Sequence, residues 1–145
     1  MLAVENTGSS SSLPFALRGA FRAPRIAPET PARGGLAPWQ EQGVRRHVRD
    51  NIDTDLNVAI LAGIARLSKS YFNRAFQVSF GCTPREYVLG QRIATAKAMM
   101  QDSGKALSEI ALDCGFCDQP HLSRVFRDFT GMTPLRWRRS QSAAA

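Results

Sequence analysis

The sequence predicts an all-α fold of seven helices, arranged as two similar helical units joined by one long helix. Three observations carry that expectation. Apolar residues from Trp39 onward recur with a helical period and nowhere alternate over a convincing strand length. Glycine and proline fall at the boundaries of these apolar stretches. The second half of the segment repeats the first.

The first helix is expected over about Trp39 to Asn51, with Val44 and Val48 on one face. A short second helix follows over about Val58 to Ala65, with Asn57 as its cap. The third begins after Ser68 and runs to about Ser79, where Gly81 stops it. Thr83-Pro84-Arg85-Glu86 opens the fourth with two independent start signals, a capping box and proline at the first helical position. Tyr87, Val88, Ile93, Ala96, Met99 and Met100 carry it to about Gln101, and Ser103-Gly104 ends it. The fifth spans about Leu107 to Cys114. The sixth starts after Asp118, tolerates Pro120 in its first turn and stops before Gly131. The seventh starts at Thr133-Pro134 and carries Trp137.

The repeat is the most specific feature. Leu61-Ala62 matches Ile110-Ala111 at an offset of 49. Beyond one extra residue near Cys117-Asp118 the offset becomes 50: Phe72, Arg74 and Phe76 match Leu122, Arg124 and Phe126. Gly81 matches Gly131, Thr83-Pro84 matches Thr133-Pro134, and Tyr87 matches Trp137. Each copy reads as helix, short turn, helix. Ala62 or Ala111 is small where two helices approach, Gly115 supplies positive φ in the second turn, and Leu67 or Phe116 plugs the space behind. Arg66 stands where the second turn has Gly115, so the first turn is the less ideal. This spacing suits a helix-turn-helix, whose second helix can enter a major groove of DNA.

Composition bounds the alternatives. At 145 residues the chain holds one ordinary domain. No apolar run approaches the ~18 residues of a membrane-spanning helix. Three cysteines, Cys82, Cys114 and Cys117, are too few for a disulfide scaffold. The net charge of +7 favours an anionic partner without saying which. Residues 1–37 hold a run of four serines, Ser9 to Ser12, together with Pro14, Pro24, Pro28 and Pro31, and no apolar period, so they are expected to be a disordered leader. Residues 38–145 form the domain, divided as a first unit (38–82), a connecting helix (83–102) and a second unit (103–140).

The segment from about 39 to 139 resembles the DNA-binding domain of the AraC/XylS family of transcription regulators. Leu61-Ala62, Leu67-Ser68, Tyr71 to Phe76, Gly81, Pro84, Tyr87, Arg92-Ile93 and Ala96 carry the resemblance in the first copy and the connecting helix. Glu109-Ile110-Ala111, Gly115-Phe116, Asp118-Gln119, His121 to Phe126, Gly131 to Pro134 and Trp137-Arg138 carry it in the second. It implies a sequence-specific regulator that binds double-stranded DNA, with the second helix of each unit in a major groove. It further implies no enzymatic activity, no cofactor, no metal, a cytoplasmic and nucleoid-associated location, and RNA polymerase as a second partner. Many relatives carry an effector-binding or dimerisation domain ahead of this one, and here only the Ser/Pro/Arg-rich stretch precedes it. Oligomeric state stays open, since one chain suffices for two grooves.

On the first reading helix the expected contact residues are Lys69, Ser70, Asn73, Arg74 and Gln77; on the second they are Gln119, Pro120, His121, Ser123, Arg124 and Arg127. Arg74 and Arg124 occupy equivalent places, where arginine can bond guanine with both arms or grip a phosphate. Asn73 and Gln119 suit adenine, and Pro120 offers only apolar contact. Phe72, Ala75, Phe76, Leu122, Val125, Phe126 and Phe129 are expected to face the core, and Tyr71 is grouped with them. Arg92 and Lys97 are divided between phosphate contact and solubility, and Arg138-Arg139 is taken as a solvated basic end. Cys114-Gly115-Phe116-Cys117 is a lone C-x-x-C, two ligands short of a closed zinc site, and Cys114 reads most simply as core. The alternative function is a protein-interaction module of the same fold acting on RNA polymerase or another regulator.

Overall fold

The computed structural model describes residues 34–144 of the chain; most of the expected leader, residues 1–33, lies outside them. Among the described residues there are seven helices and no strand: α1 (Pro38–Asp50), α2 (Val58–Ala65), α3 (Lys69–Phe80), α4 (Pro84–Asp102), α5 (Leu107–Asp113), α6 (Gln119–Thr130) and α7 (Pro134–Ala144).

Local signals account for the helix ends. Asn57, Ser68 and Asp118 each accept a backbone N–H from three residues on, which caps α2, α3 and α6. Thr83 and Glu86 exchange both bonds of a capping box, Glu86 N–H donating to Thr83 Oγ1 at 3.1 Å and Thr83 N–H to Glu86 Oε1 at 2.9 Å. Thr133 repeats half of it, because its third neighbour is Arg136 rather than an acid. α3 and α6 both stop on a left-handed glycine, Gly81 at φ +79° and Gly131 at φ +84°.

The two helix-turn-helix turns share one hydrogen-bond pattern. Leu67 N–H donates to Ala62 O and Arg66 N–H to Gly63 O; Phe116 N–H donates to Ala111 O and Gly115 N–H to Leu112 O. This closure needs a left-handed residue at its corner. Gly115 supplies it at φ +90°, whereas Arg66 is forced to φ +60°, the one non-glycine residue at positive φ among those described.

Two cores result, one per unit. The first gathers Leu36, Val44, Val48, Leu56, Leu61, Ala62, Phe72, Ala75 and Phe76; the second gathers Ile110, Ala111, Cys114, Phe116, Leu122, Val125, Phe126 and Phe129. α4 serves both: Val88 packs into the first, and Ile93, Ala96 and Met100 into the second. The repeat extends to ring geometry, since Phe76 meets Tyr87 edge-on at 5.6 Å and Phe126 meets Trp137 edge-on at 5.8 Å. Burial pushes the Tyr87 hydroxyl's pKa up, against the opposing pull of Arg45.

Four expectations need correction. Leu36, placed in the leader, is fully buried in the first core, and its N–H donates to the Ser79 hydroxyl at 2.7 Å. Ser79 is the repeat partner of Phe129, so the first unit carries a small polar side chain where Leu36 arrives. Glycine is not confined to boundaries: Gly43, Gly63 and Gly90 lie inside helices, and a Cβ on Gly43 would come within 3.3 Å of Ile64. Arg138 is not a solvated end. Its guanidinium donates to Met100, Ser103 and Lys105 carbonyls at 3.4, 3.1 and 2.9 Å and so covers the C-terminus of α4. Arg92 is not simply a surface cation: two of its guanidinium N–H groups donate to the backbone carbonyls of Ile52 and Thr54.

Candidate nucleic-acid interface

α3 and α6 are the second helices of the two units, and their buried positions correspond one for one. Phe72, Ala75, Phe76 and Ser79 face the first core; Leu122, Val125, Phe126 and Phe129 face the second. A helix that buries one stripe must present the opposite one. On α3 the opposite line is Ser70, Arg74 and Gln77, at i, i+4 and i+7, all exposed. On α6 it is Pro120, Arg124 and Arg127, again all exposed.

The other nominated residues flank these lines. Lys69 and Asn73 are exposed beside the first, and Gln119 is exposed at the start of the second. Ser123 and His121 are only half-exposed. The structure thus brings Lys69, Ser70, Asn73, Arg74 and Gln77 onto one outward surface and Gln119, Pro120, Ser123, Arg124 and Arg127 onto another, with His121 at the edge. None of the three ion pairs found among the described residues involves Lys69, Arg74, Arg124 or Arg127. Their charge is therefore not neutralised by a contacting carboxylate, although Asp128 lies exposed beside Arg127 on α6.

Tyr71 does not join the core. It is 44% exposed, and the Arg74 guanidinium stands 5.9 Å from its ring centroid. An arginine held over a ring has fewer rotamers to lose on binding. Repeat arithmetic could have found Tyr71, because its partner in the second copy is His121, itself on the edge of the reading face.

His121 has defined chemistry. Its Nδ1 accepts the Cys117 N–H at 3.3 Å, and its ring meets Phe116 edge-on at 5.2 Å. Burial and the positive charge of Arg124 lower its pKa, while Asp118 opposes them. The lowered pKa favours the neutral imidazole, and with Nδ1 accepting, that form carries its proton on Nε2, where it can be donated.

The cysteine pair splits. Cys114 is buried in the second core, its thiol's pKa pushed up to about 11 by burial and the nearby Asp113 carboxylate, and its sulfur lies 3.9 Å from that of Met99. Cys117 is exposed. Among the described residues no group of three or more His, Cys, Asp or Glu could hold a metal ion. No helix among them is long and apolar enough to cross a membrane.

Comparison with known proteins places this arrangement. A helix-turn-helix domain profile matches residues 61–140. The chain is 34% identical over 94 residues to the probable transcriptional regulator LumQ of Photobacterium leiognathi, a match covering 65% of this chain and 38% of LumQ. The next three curated relatives are spanned over 25% to 26% of their lengths. The DNA-binding domain of AdpA, a global transcriptional factor crystallised with a target DNA, superposes with a TM-score of 0.70 at 25% identity, over 74% of this chain and 96% of that one. A Chromobacterium violaceum transcriptional regulator, described among AraC-type DNA-binding domain-containing proteins, superposes with a TM-score of 0.65 at 29% identity, over 72% and 92% of the two chains.

Proposed function

The chain belongs to the AraC-type helix-turn-helix family, and on that premise we propose that it binds double-stranded DNA in a sequence-specific manner and regulates transcription. The observation that carries this is the pair of equivalent outward faces on α3 and α6, each centred on an arginine with no acidic partner in contact. The 19 residues of α4 span roughly 29 Å at 1.5 Å per residue. Successive major grooves on one face of B-DNA repeat every ~34 Å. With the packing offset of each unit added, one chain sets α3 and α6 into adjacent grooves. Because the two faces differ in sequence, the site they read is asymmetric.

In this reading Arg74 and Arg124 contact guanine or phosphate, and Asn73 and Gln119 face adenine. Ser70, Gln77 and Ser123 add hydrogen bonds, Pro120 an apolar contact, and Lys69 and Arg127 phosphate contacts. His121 donates from Nε2. No residue is assigned to catalysis, the site of action is the nucleoid, and RNA polymerase is the second partner of a chain that regulates transcription. Gel-shift selection from random duplex DNA tests the proposal: enrichment of a motif supports it, and enrichment of none sinks it.

A further inference from the structure

Arg92 stands on α4 at the border between the two cores, four residues after Val88 and one before Ile93. Its Nε–H donates to the Ile52 carbonyl at 3.1 Å and a terminal N–H to the Thr54 carbonyl at 2.6 Å. Both carbonyls belong to the connection between α1 and α2, in the first unit. The second unit closes on the same spot. A Cβ built on Gly115 would lie 2.5 Å from the Ile52 oxygen, 2.8 Å from Arg92 Nε and 2.9 Å from its Cζ. So the loop of one unit, the connecting helix and the turn of the other unit meet around a single guanidinium.

Gly115 is thus glycine for two separate reasons. The turn needs positive φ, and the first unit's loop leaves no room for a side chain. At the equivalent corner of the first turn only the first reason applies, which is why Arg66 is tolerated there. The principal helix pairs lie within a unit or include α4, so this junction adds a direct contact between the units to their shared packing on α4.

We propose that Arg92 and Gly115 clamp the second reading unit against the first, and thereby set the base-pair spacing between the two DNA elements the chain accepts. The proposal rests on the DNA-binding reading above. One base pair more or less between the elements turns one against the other by roughly 35° and shifts it by ~3.4 Å. A unit free to swing about α4 follows that change, and a clamped unit does not. Arg92 is a positioning residue, since two of its guanidinium N–H groups hold protein carbonyls of the first unit.

The test uses the full chain and two readouts. The first is affinity for the selected site with its two elements moved apart or together by one base pair. The wild type should lose on the order of tenfold or more, the scale of a mismatched base pair. Arg92→Ala should lose severalfold less than that, whatever its affinity for the unaltered site. The second readout needs no DNA: spin labels at Gln42→Cys on α1 and Leu135→Cys on α7, both exposed, in a Cys117→Ser background. Their distance distribution should be narrow in the wild type and broadened in Arg92→Ala. Arg92→Lys keeps the cation but lacks the fork that reaches two carbonyls; it should shift both readouts in the same direction and carries the test should the alanine variant not fold. Selection of no motif at all fails the DNA reading itself, whereas a wild type that binds a selected motif but accepts every spacing overturns the clamp. A preferred spacing that both variants retain, with unchanged label distances, overturns the clamp alone.

Discussion

Gly115→Ala isolates the junction on which the two units meet. An L-residue at positive φ costs about 1–2 kcal/mol where glycine costs nothing. The new methyl would sit 2.5 Å from the Ile52 carbonyl oxygen, so that loop or the turn must move. The carbonyl in question holds a charged hydrogen bond from Arg92, and disturbing such a bond costs ~1.5–3 kcal/mol. Restricting the unfolded chain returns up to ~1 kcal/mol. The expected net loss is roughly 2–4 kcal/mol, a fall in Tm on the order of 10–20 °C for a domain of this size. Urea unfolding followed by far-UV circular dichroism measures it. Gly63→Ala is the internal control: Gly63 lies inside α2, its Cβ would meet nothing within 4 Å, and the change should stabilise by ~0.5–1 kcal/mol. A Gly115→Ala loss below about 1 kcal/mol, in a chain where Gly63→Ala behaves as expected, refutes the reasoning.

Three further outcomes follow from the same geometry. Arg66→Gly removes the strain at φ +60° but also the guanidinium that lies 5.9 Å from the Trp39 ring, so it should stabilise by up to ~1 kcal/mol, and a clear loss of stability contradicts the strain account. A chain starting at residue 34 should melt like the full chain, whereas one starting at residue 38 loses buried Leu36 and its bond to Ser79; Leu36→Ala alone should cost ~2–4 kcal/mol, and equal melting of both truncations contradicts the burial. Because the folded chain lowers the His121 pKa, its contribution is complete above the ordinary histidine pKa of ~6.5 and is lost as pH falls through that value toward the lower folded one. His121→Gln should flatten stability between pH 7.5 and 5.5, in a range set by that ~6.5, and an unchanged slope contradicts the assignment.

What the sequence disclosed and what it withheld divide by distance along the chain. Caps act over three residues, so Asn57, Ser68, Thr83-Glu86 and Asp118 marked their helices to within a residue or two. The repeat disclosed both cores, because Phe72, Phe76, Leu122 and Phe126 recur in step with Gly81 and Gly131. The bonds of Arg92 and Arg138 are hidden from the sequence for the opposite reason. Their carbonyl partners lie 33 to 40 residues away, and an arginine on a helix surface looks the same whether it meets solvent or a distant loop. Leu36 is a single apolar residue between Gly35 and Ala37, with no periodicity to betray its burial. Tyr71 groups with its aromatic neighbours in the sequence, although on the helix it sits beside the exposed line of Ser70 and Arg74. On α3 and α6 the outward lines were legible because each is the complement of a buried stripe that the repeat had already defined.

The central claim is that each unit reads its own half of one asymmetric DNA site, and selection from random duplexes repeated with Arg74→Ala and Arg124→Ala tests it most directly. Each variant should lose ~1–3 kcal/mol of specific affinity and relax base preference at one position, the two positions lying in opposite halves of the motif about one helical turn apart. Uniform loss across all sequences would make both arginines phosphate contacts rather than base readers, and relaxation at the same position by both variants would contradict the claim.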